Sequence, residues 1–117
     1  MNPIFASVFA ASGLIVAGSS MAVEMPELAK KCECTACHAI DKKIVGPSWM
    51  DVSKRYKGAT TFNFKGTDYP LEDGLVLKVS KGGVGNWSAM PMPPNFPGTS
   101  EADARTLVRF VLSLAAK

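Results

Sequence analysis

The chain has 117 residues, 47% of them apolar, with 13 Lys/Arg against 10 Asp/Glu and a net charge of +3. That length excludes a multidomain enzyme, the apolar content excludes a disordered tail protein, and the mild charge gives no argument for nucleic acid. The first 22 positions hold 14 of the apolar residues and no charged side chain, whereas residues 23–117 have an ordinary globular composition.

The apolar run Ile4–Ala17 leads into Gly18-Ser19-Ser20-Met21-Ala22, with small side chains at Ser20 and Ala22. This pattern reads as a signal peptide (1–22) cleaved after Ala22, its positive charge supplied by the amino terminus alone. A lasting anchor needs about 20 strongly apolar residues, and this run is shorter and rich in Ala, Gly and Ser. The working domain is then 23–117, exported to the periplasm without stable membrane insertion. Pro26 suits a first helical position and predicts a helix from about Pro26 to Cys34. Gly46-Pro47 marks a turn, and a short helix follows over Met50–Tyr56, ended by Gly58. Thr61–Thr67 alternates and reads as a short hairpin or loop. Leu71, Leu75, Val76 and Val79 fall at helical spacing up to the stop signal Gly82-Gly83. Four prolines between positions 91 and 97 fix φ and remove donors, which makes Met90–Pro97 a stiff loop. Ser100-Glu101-Ala102-Asp103 resembles a capping box, and Leu107, Phe110, Val111 and Leu114 form the apolar stripe of a last helix.

All three cysteines, Cys32, Cys34 and Cys37, lie within six residues. An odd, clustered set does not read as a disulfide framework. Cys34-Thr35-Ala36-Cys37-His38 is the C-x-x-C-H pattern of covalent haem attachment. Thiols three residues apart on one helical turn can reach the two vinyl groups of a haem, and the next imidazole then lies beneath the iron. A thioredoxin-like site would need a preceding strand, and a zinc cage from Cys32, Cys34, Cys37 and His38 is cramped. His38 is the only histidine, so a sixth iron ligand must come from Met25, Met50, Met90, Met92 or a lysine, or the position stays open. The rigid Met90–Pro97 loop can present a thioether at small entropic cost, and a soft neutral sulfur favours Fe(II). Cys32 is either a small buried thiol or an exposed one able to pair with another chain.

These residues together resemble the small bacterial class I cytochromes c, the cytochrome c-551/c-552 (cytochrome c8) group. The match runs through Cys34–Asp41, Val45-Gly46-Pro47, Trp87, Pro91-Met92-Pro93-Pro94-Asn95 and the last helix. The resemblance implies an all-α cytochrome c fold around one covalent haem c, with the first and last helices in contact. It implies thioether bonds at Cys34 and Cys37 and iron ligation by His38 and Met92. It further implies that Pro47 accepts the other ring N–H of His38, that the Asn95 amide donates to the methionine sulfur, and that Trp87 reaches a haem propionate. Lys78 falls where the family often has a basic residue near a propionate. The Gly58–Gly74 segment is longer than in the shortest members.

With both iron faces held by protein, no position remains for substrate, so the reading is an electron carrier and not an enzyme. The partners are redox proteins. Lys30, Lys31, Lys42 and Lys43 flank the attachment motif and offer a basic collar to acidic docking surfaces, or simply a solvated face. The alternative reading is a dedicated cytochrome subunit accepting electrons from an exported dehydrogenase. A haem enzyme or gas sensor with an open iron position is the remaining alternative.

Overall fold

Residues 23–95 and 98–116 are described by the computed structural model, so the leader and its cleavage point after Ala22 lie outside the described residues. In chain order the elements are α1 (Glu27–Lys31), a 3-10 turn (Cys34–Ala36), α2 (Trp49–Tyr56), β1 (Thr61–Phe64), β2 (Thr67–Pro70), α3 (Leu71–Lys81), α4 (Glu101–Ser113) and a closing 3-10 turn (Leu114–Ala116). Among the described residues every element other than the β1–β2 hairpin is helical.

The first helix ends sooner than its sequence predicts. Pro26 is its N-cap rather than its first residue, and Glu33 adopts a left-handed backbone with φ of 61°. The Cys32 and Glu33 amides close the last turn on Leu28 and Lys30. Glu33 then turns the chain, so the attachment motif starts on its own tight turn instead of continuing α1. Nothing in the residue type announces this, because Glu rarely takes positive φ.

Ser48 caps α2 by accepting from the Asp51 amide at 3.1 Å, which moves the helix start back to Trp49. The buried Ser53 hydroxyl donates to Leu112 O at 3.0 Å and accepts from the Ala115 amide at 2.9 Å. It thus ties α2 to the last turn of the chain. The hairpin pairs Phe62 with Tyr69 and Phe64 with Thr67 around the two-residue turn Lys65-Gly66. Both turn residues have positive φ, 50° and 87°, and the Asn63 side chain accepts from the Gly66 amide. Alternation sends Phe62 and Phe64 inward and leaves Thr61 and Asn63 exposed.

The α3 helix packs on this hairpin through Gly74, where a Cβ would lie 2.8 Å from Phe62 Cβ. Ser100 caps α4 by accepting from the Asp103 amide, as the capping sequence predicts. The α4 helix serves two cores. Leu107 and Val111, with Leu114 beyond them, join Ala29, Cys32 and Trp49 on one side. Ala104 and Val108 join Phe62, Phe64, Leu75 and Val76 on the other. Contacts between α1 and α4 bring the two ends of the domain together. Outside, Arg105 bridges Glu72 (3.0 Å) and Asp73 (2.8 Å), and Arg109 reaches Glu72 at 2.8 Å. These pairs fasten α4 to the start of α3.

Candidate haem site

Between the two cores lies an open, mainly apolar cleft of about 1090 Å³ including its mouth, lined by Cys34, Cys37, His38, Trp87, Met90 and Met92 among others. The 3-10 turn puts Cys34 and Cys37 at its edge, with the Cys37 and His38 amides both bonded to Cys34 O. Burial pushes the Cys34 thiol up to about 11, with Cys32 adding to the shift. Before haem is attached, Cys34 is therefore a protonated thiol at neutral pH.

His38 Nδ1 lies 2.8 Å from Pro47 O. A carbonyl only accepts, so Nδ1 carries the proton and Nε2 keeps its lone pair for a metal. Gly46 makes this contact possible, because a Cβ there would sit 2.5 Å from His38 Cε1. Trp49 packs behind the imidazole, with ring centroids 6.0 Å apart.

Of the methionines considered as ligands, Met25 and Met50 pack against the Ala29–Trp49 core. Only Met90 and Met92 line the cleft. Met90 is 59% exposed. Met92 is half-buried, and its backbone exchanges two 2.9 Å hydrogen bonds with Gly83. Asn95 extends the attachment by donating its amide to Val79 O at 3.0 Å. The proline loop is thereby sewn to the end of α3. Gly82 permits that approach: its φ is 68°, and a Cβ would collide with Met92 O.

Three placements refine the sequence reading. The Asn95 side chain donates one N–H to Cys32 O at 3.0 Å. It braces the turn before the attachment motif. Cys32 is 6% exposed inside the core, so the exposed-thiol reading does not hold. It stands apart from the cleft lining, and among the described residues no three His, Cys, Asp or Glu side chains converge on a metal position. Lys78 lines the cleft, and burial holds its ammonium below the ordinary value, with Lys65 adding repulsion. The sequence reading passed over Arg55. Its guanidinium lies 4.5 Å from the Trp87 ring centroid and donates to Asn86 O. Residues 55 and 87 lie too far apart in sequence for any local pattern to have linked them.

The donor set fits a covalent haem. Two thiols share one turn, an imidazole of fixed tautomer stands beside them, and the surrounding wall is apolar. Comparison with known proteins agrees. Residues 22–115 match the Cytochrome c family. The chain belongs to the cytochrome c family. It is 37% identical to cytochrome c-552 of Nitrosomonas europaea over 97% of this chain and 99% of that one. It is 44% identical to cytochrome c-551 of Allochromatium vinosum over 74% of this chain and 82% of that one. The crystal structure of wild-type Nitrosomonas europaea cytochrome c552 superposes with a TM-score of 0.61 at 35% identity, covering 75% of this chain and 96% of that one. The chain is thus a small class I bacterial c-type cytochrome with the cytochrome c fold and one covalent haem c, and its work is electron transport with redox partners. No helix among the described residues is long and apolar enough to cross a membrane.

Proposed function

We propose that residues 23–117 form a periplasmic one-electron carrier, with haem bonded through Cys34 and Cys37 and ligated by His38 and Met92. The observation that carries this reading is one apolar cleft gathering all four side chains. The haem supplies the Fe(II)/Fe(III) couple. Pro47 O holds the His38 ring by its Nδ1 proton and raises the basicity of Nε2. The bridge to Gly83 fixes Met92, so its thioether is presented without a search for conformation. The apolar wall keeps water from both ligands. Trp87 at the mouth carries an indole N–H suited to a propionate. With His38 and Met92 both holding the iron, the haem would supply electron transfer rather than substrate chemistry.

Lys31, Lys42 and Lys43 are exposed beside the attachment turn, and Lys30 pairs with Glu27 at 3.0 Å. This surface suits an acidic redox partner, and its reduction rates then fall as salt rises.

The test is an absorption spectrum of protein made in a host with cytochrome c maturation. Haem stays attached on denaturation, and the ferric protein shows the weak far-red band of iron–thioether ligation. Met92→Ala removes that band and lowers the potential, while Met90→Ala keeps both. The reverse pattern overturns the ligand assignment, and an absent band in the unmodified protein overturns His/Met ligation altogether.

A further inference from the structure

The segment between Gly83 and Met92 has little of its own to hold it. Gly83 and Gly85 both adopt positive φ, and Val84, Trp87 and Met90 are exposed. Its base is fixed by the paired bonds between Gly83 and Met92. Its internal bonds are the 3.3 Å Gly85 amide to Ser88 O and the 3.2 Å Met90 amide to Ser88 Oγ. The tip is held from outside. Arg55, in the last turn of α2, donates to Asn86 O at 2.6 Å and lies over the Trp87 ring at 4.5 Å. The Asn86 side chain in turn donates to Asn63 O of the hairpin at 3.3 Å. Among the described residues no carboxylate pairs with Arg55. Its directed donor goes to this segment, and its guanidinium lies nearer the Trp87 ring, at 4.5 Å, than the Tyr56 ring, at 5.8 Å.

We propose that Arg55 is a positioning residue that clamps the Gly83–Met90 segment across the cleft mouth and so protects the Met92 ligand from displacement. The inference rests on Met92 being the ligand. Only a planar guanidinium combines a forked donor with stacking on an indole, so a lysine at this position keeps the charge and loses the clamp. Trp87 and Met92 stand on the same short, glycine-rich segment. Releasing its tip frees the lever that ends at the ligand.

The experiment uses ferric holoprotein and cyanide as the competing ligand. Arg55 is exposed, so Arg55→Ala keeps the fold, checked by far-UV circular dichroism, and keeps the far-red band before cyanide is added. It then exchanges Met92 for cyanide roughly tenfold faster than the unmodified protein. Arg55→Lys stays close to the alanine rate. Trp87→Ala speeds the exchange similarly, and the double variant adds less than the sum of the two, because both residues hold the same segment tip. Equal cyanide rates in Arg55→Ala and the unmodified protein overturn the clamp while leaving the Met92 assignment intact. Full rescue by Arg55→Lys also overturns it, assigning the effect to charge. A far-red band missing from the unmodified protein overturns both readings.

Discussion

Gly46 lies so close under the imidazole of His38 that a Cβ would sit 2.5 Å from Cε1 and 3.0 Å from Nδ1. The ring is thus held between a bare backbone on one side and the Pro47 carbonyl at 2.8 Å. Gly46→Ala must tilt the ring or shift the turn, at a cost of about 1–3 kcal/mol. Denaturant unfolding of the holoprotein gives the stability loss. A shifted potential would accompany it, since the ring and its hydrogen bond move together. Unchanged stability and potential would show that the turn relaxes freely.

At the other end of the cleft, Gly82 combines φ of 68° with an approach to Met92 O that leaves no room for a side chain. Gly82→Ala adds backbone strain to a collision with main chain, and at least about 2 kcal/mol is lost. The damage concentrates on the Met92 loop. The far-red band should weaken, and exogenous imidazole should bind at concentrations the unmodified protein resists.

Asn95 spans 63 residues of sequence to reach the Cys32 carbonyl. Asn95→Ala removes that partner from a half-buried group and costs about 1–2 kcal/mol by urea unfolding. The far-red band remains. If instead the band or the potential changes while stability holds, the amide serves the methionine sulfur in the holoprotein.

Acid sensitivity is assigned to Glu72. Its hydrogen bond from Arg105, joined by Arg109, holds its carboxyl below the ordinary value of 4.5. A depressed native value means the unfolded chain binds the proton first. The contribution to stability is therefore complete above pH 4.5 and is lost as pH falls through the lower native value. Thermal unfolding between pH 7 and 3 should show a shallower acid decline in Glu72→Gln than in the unmodified protein. Parallel declines would assign acid sensitivity elsewhere.

The parts of the site legible in the sequence are those set by contiguous residues. Cys34–His38 needs only one turn to bring two thiols and an imidazole together, and the prolines around Met92 admit one kind of backbone. The capped start of α4 is equally local, since Ser100 needs only Asp103. What escaped depends on distant partners. Glu33 turns left-handed to end α1 without a glycine to signal it. Asn95 reaches the Cys32 carbonyl only through tertiary packing. Arg55 meets Trp87 only after the loop that follows α3 has folded back onto α2. Cys32 could be read as buried or exposed until Trp49, Leu107 and Leu114 closed around it.

The hairpin has become difficult to give up. Phe62 and Phe64 point into the same core as Leu75 and Val108, and α3 carries a glycine at position 74 that only the Phe62 side chain completes. A deletion of 61–70 would remove three aromatic rings, Phe62, Phe64 and Tyr69, and leave Gly74 facing a hole, so shortening the chain requires simultaneous enlargement of residues on α3. The ribbon's rings are part of the interior, and this sets a lower limit on the length of the chain.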